Sequence, residues 1–286
     1  MQFYFQKILN LREEETVNEE YDAALFGNLV HKVMQNLYTP YLNKELKKDN
    51  LEDIKTEVKN NFDEIFSKAA LAISQDIKKR SKNKIEMTID VGTTGQNLAS
   101  IEIIKELVLK ILERDLNYAP FKIIGLEEEI IIPNYKFKDE NETDRKIEIK
   151  GKLDRIEIKD NEANIIDYKT GSTKFKNSRS NLGALETIVS DPEFKDLFQA
   201  GFYFFLYYES KKTYANAGMF YVARENDIKW VFDDAWDSKP KFLELYKKFV
   251  DEILKEIFSL NNYFEKTSDK DHCKYCPMIS LCYREN

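Results

Sequence analysis

Two aspartates and a lysine within Ile147–Gly171 (IEIKGKLDRIEIKDNEANIIDYKTG) are the residues whose types and spacing best suit chemistry. Asp154 falls in one run of alternating apolar and polar residues, and Asp167 and Lys169 close a second. Lys159–Glu162 separates the runs as a hairpin loop. Residues two apart on a strand share a face, so Asp167 and Lys169 point the same way and Asp154 can come opposite them. Hydrolysis of a phosphodiester needs a metal ion to offset phosphoryl charge and to acidify water. Mg²⁺ and Mn²⁺ favour oxygen donors. Asp154, Asp167 and the Tyr168 backbone carbonyl would supply them, with Lys169 beside them to orient water or stabilise developing charge. The competing interpretation is a charged, solvent-facing strand edge, since acid–lysine alternation is common. Two details weigh against it. Asp167 follows Ile165-Ile166 and so closes an apolar strand, and Gly151 and Gly171 flank the unit where backbone must pass close to something.

Helices must bring further groups to such a hairpin. Over residues 21–38, Leu25, Phe26, Leu29, Val30, Val33 and Leu37 form one apolar stripe, and His31 falls on the opposite side, one turn after Gly27. A histidine off the core stripe suits a cleft. Residues 3–12 read as a short amphipathic helix, 41–80 as charged helices and 97–116 as a strongly amphipathic one. From Phe121 the period changes to two. FKIIGLEEEIII is a strand, Pro133 and the charged stretch 138–146 a turn, and TYANAGMFYVAR and DIKWVF are later strands. Residues 193–209 read as a buried helix opened by Asp191-Pro192, with Gln199 and Tyr203 on one face, and 239–264 as a long terminal helix. The basic run Lys78, Lys79, Arg80, Lys82 and Lys84 reads as a solvated segment. GTTG at 92–95 reads as a turn, because no Lys-Ser/Thr follows as a phosphate-binding loop requires.

The composition bounds the function. The 286 residues are 42% hydrophobic and 33% charged, an ordinary globular balance. No apolar run is long enough to span a membrane, and the N-terminus lacks the layout of a signal peptide, which predicts an intracellular, cytoplasmic protein. A net charge of −7 argues against a passive nucleic-acid coat but not against an enzyme with a basic cleft. All three cysteines lie within the last 14 residues, a clustering that suggests metal or iron–sulfur ligation over disulfides.

The hairpin G-K-L-D-R-I…D-Y-K-T-G resembles the active-site signature of PD-(D/E)XK nucleases of the RecB/AddB type. Three other segments agree in order: Gly27-x₃-His31 resembles the upstream G-x-x-x-H motif, Gln199-x₃-Tyr203 the downstream Q-x-x-x-Y motif, and Cys273-x₂-Cys276-x₅-Cys282 the cysteines of a [4Fe–4S] cluster. The resemblance implies a restriction-endonuclease-like core, a mixed sheet of about five strands with helices on both faces. It implies His31 as a further metal ligand and Gln199 and Tyr203 as supports for Lys169 and the DNA. It also implies a carboxylate from the preceding strand. Glu127, Glu128 and Glu129 are candidates, and Glu128 is taken here as the ligand. The family's fourth cluster cysteine would fall before Met1, so the cluster is expected only if a cysteine lies further upstream. Zinc held by the cysteines and His272 is the alternative. Lys174, Lys176 and Arg179 are candidate DNA contacts.

These readings give one α/β domain over 1–286. It has a helical insertion at about 41–118, a catalytic core at about 119–232, and a C-terminal helix and cysteine tail at 239–286. The expected function is an Mg²⁺- or Mn²⁺-dependent DNA exonuclease, a part of a helicase–nuclease or recombination–repair protein. The alternative is a non-catalytic DNA-binding or scaffolding domain that keeps the fold. A degenerate copy should lose the Asp or the Lys, and this chain has both. A small-molecule zinc hydrolase would need His-rich ligand spacing that is absent from the sequence.

Overall fold

A computed structural model describes residues 4–11, 21–80, 89, 95–171, 194–232, 238–259, 263–267, 273, 276 and 278–283. Helix α1 (Ala23–Tyr38) begins where Asp22 Oδ1 accepts the Leu25 N–H at 2.7 Å, satisfying one of the unpaired donors of the first turn. It buries Leu29, Val30, Val33 and Leu37 of the expected stripe, with Leu25 and Phe26 partly buried, and it buries Met34 and Tyr38 beyond that stripe. Helix α2 (Lys48–Arg80) is one long element bent at Asn61, where φ leaves the helical region at −130°. Helix α3 (Gly95–Tyr118) completes a helical layer on one face of the sheet. Helices α4 (Lys195–Lys211) and α5 (Ser238–Phe258) cover the other face.

The sheet has six strands in sequential order: β1 (Glu45–Leu46), β2 (Phe121–Lys138), β3 (Asp144–Lys159), β4 (Glu162–Lys169), β5 (Ala215–Tyr221) and β6 (Lys229–Trp230). All neighbours run antiparallel except β4 and β5, which are parallel and joined through α4, the crossover that a parallel pair requires. The strand beyond the five expected is β1, two residues within the stretch read as helical and too short to show a period. Strand β2 continues through Pro133, where a turn was expected. The proline sits at the register shift between Ile132 and Tyr135, so no ladder bond is lost. The β3–β4 hairpin closes with Asp160 and Asn161 at φ 52° and 65°, the paired left-handed conformation of a two-residue turn.

Two apolar clusters sandwich this sheet. One joins α1, α2 and α3 to Phe121, Ile123, Ile166, Tyr168 and Phe220. The other joins α4 and α5 to Leu153, Ile156, Ile165, Ala217 and Met219. The alternation Ile165/Ile166 therefore feeds both cores, each fully buried apolar side chain contributing about 1.5–3 kcal/mol. Gly151 is where α4 crosses β3: a Cβ there would lie 2.5 Å from Leu206 Cδ1. Among the described residues, a Cβ at Gly171 would meet nothing within 4 Å, so the close approach seen is the one at Gly151. The segment read as a terminal helix over 239–264 ends at Phe258, and Tyr4–Ile8 is wound as a single π-helical turn where an amphipathic helix was expected. No helix among the described residues is long and apolar enough to cross a membrane.

Candidate active site

The site lies where β3 and β4 part. Their ladder ends at Arg155↔Ile166, while β4 runs on to Lys169 beside β5. Asp154 and Asp167, next in that register, thus sit at the mouth of a fork. There the Asp154 side chain replaces the missing strand partner: Oδ2 accepts the Tyr168 N–H at 3.1 Å. Strand β2 brings Glu127 to the same place, because Leu126↔Arg155 and Glu128↔Leu153 leave Glu127 opposite Asp154. Glu127 has a left-handed backbone, φ 51°, uncommon for a residue with a side chain and found at functional sites.

Helix α1 reaches the fork from one face. His31 Nε2 lies 2.9 Å from the Tyr168 carbonyl, and Nδ1 lies 3.4 Å from both Glu127 Oε1 and Asp154 Oδ2. With Nε2–H donated to the carbonyl, Nδ1 is the nitrogen turned to the carboxylates. Helix α4 reaches it from the other face with Gln199 and Tyr203, one turn apart. Gln199 Oε1 accepts from Lys169 Nζ at 2.7 Å, and its Nε2 donates to Asp167 Oδ1 at 3.0 Å and to the Tyr203 hydroxyl oxygen at 2.6 Å. The Tyr203 hydroxyl donates to Asp167 Oδ1 at 3.2 Å. Lys169 Nζ also lies 2.8 Å from Asp167 Oδ2 as an ion pair.

Charge is concentrated here. Burial and the neighbouring Asp167 push Asp154 up to about 7, against the pull of His31. Burial draws His31 down, but the Asp154, Glu127 and Asp167 carboxylates outweigh it and raise it to about 9. Burial likewise raises Asp167, with Lys169 working against the shift. For Glu127, burial is outweighed by His31 and Lys152, whose Nζ is 2.6 Å from Glu127 Oε2, and its carboxyl lies below the ordinary value. Carboxylates pushed up by burial and by one another, beside an imidazole, form a cluster whose charged state a cation would favour.

The residues present fit such an ion. His31, Glu127 and Asp154 offer one nitrogen and two oxygens within 4.8 Å of one another. The buried Asp167 Oδ2 is met only by the Lys169 ammonium among the described residues, and a carboxylate oxygen so placed keeps a second lone pair for a cation. Hard oxygens with one imidazole suit Mn²⁺ or Mg²⁺ better than a thiolate-seeking metal.

One expected candidate, Glu128, lies away from this group. Glu128 does not face His31. Its Oε1 lies 3.6 Å from Lys211 Nζ, and Glu129 pairs at 3.8 Å with Lys150. The left-handed turn of the chain at Glu127 breaks simple alternation and aims Glu127 into the fork. The positive φ leaves no mark in the sequence, although the pairing of Glu127 across from Asp154 follows once register is known. His31, Asp154, Asp167, the Tyr168 carbonyl, Lys169, Gln199 and Tyr203 all meet at the fork. Lys174, Lys176 and Arg179 lie outside the described residues, as do Lys82, Lys84 and His272. The three cysteines form no disulfide, and Cys276 N–H donates to the Cys273 carbonyl at 3.1 Å.

No curated protein sequence matches the chain significantly. The family model of the PD-(D/E)XK nuclease superfamily matches residues 1–283, and a match of that extent makes the chain a member of that superfamily.

Proposed function

We propose that this member of the nuclease superfamily is a Mg²⁺- or Mn²⁺-dependent deoxyribonuclease that removes nucleotides from strand ends, within a helicase–nuclease or recombination–repair protein. The observation that carries the reading is the lysine. Lys169 Nζ is held between Gln199 Oε1 and Asp167 Oδ2, and Asp167 shares the fork with the His31–Glu127–Asp154 group. His31, Glu127 and Asp154 would hold the metal, which when bound supplies Lewis acidity at the phosphoryl oxygens. The chain supplies the rest. Lys169 donates to the attacking water or to the charge that develops on the phosphoryl group, and Gln199 fixes where its ammonium points. Tyr203 holds Asp167 in place.

A route for the strand is at hand. A cleft of about 190 Å³ starts at His31 and Glu127 and runs between α1 and the end of α2. Lys32 and Lys152 can meet phosphates there, and Ile73 and Ile77 offer an apolar wall for a base or sugar. The single-domain reading, with α2 and α3 as an insertion, and the iron–sulfur reading of Cys273, Cys276 and Cys282 belong to the same proposal. Three cysteines fall one short of the four that such a cluster takes, so the cluster would need a fourth from further upstream.

Incubation with linear single- and double-stranded DNA in Mg²⁺, Mn²⁺ or EDTA tests it. Metal-dependent release of nucleotides, abolished by Asp167→Ala or Lys169→Ala in folded protein, is the expected result. Full activity in the double variant would overturn the assignment.

A further inference from the structure

Behind the fork, on the face of the sheet that α1 and α3 cover, lies a buried ionic network that the metal-site reading does not use. Arg155 follows Asp154 in the chain, and Tyr168 follows Asp167 and, like Ile166, lies in the core under α1, α2 and α3. There Arg155 Nη1 donates to Asp115 Oδ2 at 2.6 Å and to the Tyr168 hydroxyl at 2.9 Å, and Nη2 reaches Asp115 Oδ1 at 3.4 Å and the Glu157 carboxylate. Asp115, on α3, also accepts from the Tyr38 hydroxyl and from Arg114 Nη1, the latter at 2.9 Å. Tyr38 lies seven residues after His31, two turns along the same face of α1. The network therefore ties β3, β4, α1 and α3 together directly beneath the ligands.

Stability is a poor explanation for it. A buried ion pair often gives no more stability than apolar side chains of the same volume. This one leaves Arg155 Nε without a hydrogen-bond partner among the described residues, although Arg155 is only 1% exposed. What apolar packing cannot supply is direction. A guanidinium presents its donors in a rigid planar fork, so its partners are fixed in angle as well as distance. Helix α1 is then held at two points, by Tyr38 on Asp115 and by His31 on the Tyr168 carbonyl, while Tyr168 itself is fixed from its hydroxyl end.

We propose that Arg155, through Asp115, Tyr38 and Tyr168, is a positioning residue that sets His31 relative to Asp154 for metal binding. The inference rests on His31, Glu127 and Asp154 being the metal-holding group, and not on DNA cleavage.

The test uses Arg155→Lys, which keeps the charge and loses the fork, and Tyr38→Phe, which removes one hydroxyl. Each is made in the unaltered chain and in His31→Ala. Mn²⁺ affinity is read by calorimetry, and the imidazole ¹⁵N shifts of His31 by NMR, assigned by their loss in His31→Ala because the chain has only two histidines. Circular dichroism checks the fold. Arg155→Lys should weaken Mn²⁺ binding about tenfold, the low end of what loss of a ligand-orienting partner does, and should move the His31 shifts. In the His31→Ala background it should cost less than twofold, since there is no imidazole left to misplace. If Arg155→Lys does not fold, Tyr38→Phe is read against the same outcomes. An equal loss with and without His31, or unchanged affinity and shifts in folded variants, would overturn the inference. Failure of the unaltered chain to bind Mn²⁺ would overturn the metal assignment and this inference with it. Binding that survives Arg155→Lys intact overturns this inference alone.

Discussion

Gln199 Oε1 accepts a hydrogen bond from Lys169 Nζ at 2.7 Å while the same amide donates through Nε2 to Asp167 Oδ1 at 3.0 Å. One side chain thus reads the lysine as a donor and the aspartate as an acceptor, through the two ends of one amide. Gln199→Leu removes both bonds and frees Lys169 to fold fully onto Asp167. The expected outcome is a kcat lower by about 10–100-fold with KM and thermal stability little changed, because the lost bonds orient a group that acts in the transition state. Steady-state cleavage of linear DNA in Mn²⁺ measures it, and an unchanged kcat would sever Gln199 from the lysine's role.

Glu127 and Glu128 are adjacent in sequence and opposite in consequence. Glu127 Oε1 is 3.4 Å from His31 Nδ1, whereas Glu128 Oε1 is 3.6 Å from Lys211 Nζ and about a third exposed. Glu127→Gln should weaken Mn²⁺ binding by at least about tenfold, and Glu128→Gln should leave it within twofold. Calorimetric titration of each variant decides between them. The opposite ranking would return the ligand to Glu128.

What the sequence discloses here follows the range of the interactions involved. Periodicity places α1, α3 and the three core strands, since amphipathic patterns of period 3.6 and 2 are local. His31, Asp154, Asp167, Lys169, Gln199 and Tyr203 are legible because each stands in a short ordered motif on one of those elements. Glu127 is not, because its placement depends on a left-handed residue and on the register with β3. Arg155 and Asp115 are hidden for another reason. Charged residues in an alternating strand or an amphipathic helix read as solvent-facing, and only the tertiary fold puts the two at bonding distance, 2.6 Å apart, in the interior. Strand β1 is invisible at two residues.

Metal binding should compete with protons. His31 is raised to about 9 and Asp154 to about 7, so near neutrality both hold protons that a cation must displace. Apparent Mn²⁺ affinity should therefore rise by about tenfold per pH unit between pH 7 and 9, where His31 is the proton to be lost. Without metal the sign reverses. Both groups have folded values above their unfolded ones of 6.5 and 3.8, so each stabilises the fold below its unfolded value and loses that contribution as pH climbs through the folded one. The melting temperature should fall from pH 6 to pH 9 in EDTA, and the rise produced by Mn²⁺ should grow over the same span. Calorimetry in buffers of different ionisation enthalpy counts the protons released. A pH-independent affinity would refute the competition.

Lys32 separates substrate binding from chemistry. It stands on α1 beside His31, lines the cleft, and holds Gln35 Oε1 at 2.9 Å, yet belongs to neither the metal group nor the Lys169 cluster. If a single strand leaves the fork along this cleft, Lys32 neutralises one phosphate. Lys32→Glu should then raise KM for single-stranded DNA several-fold at low salt, with kcat held within about twofold and Mn²⁺ affinity unchanged. The clearest signature is ionic. Binding to a labelled oligonucleotide, measured in Ca²⁺ at several salt concentrations, should lose about 0.7 from the slope of log K against log salt, the share of one phosphate on a single strand. A slope equal to that of the unaltered protein would place the strand on another face of the molecule, away from α1.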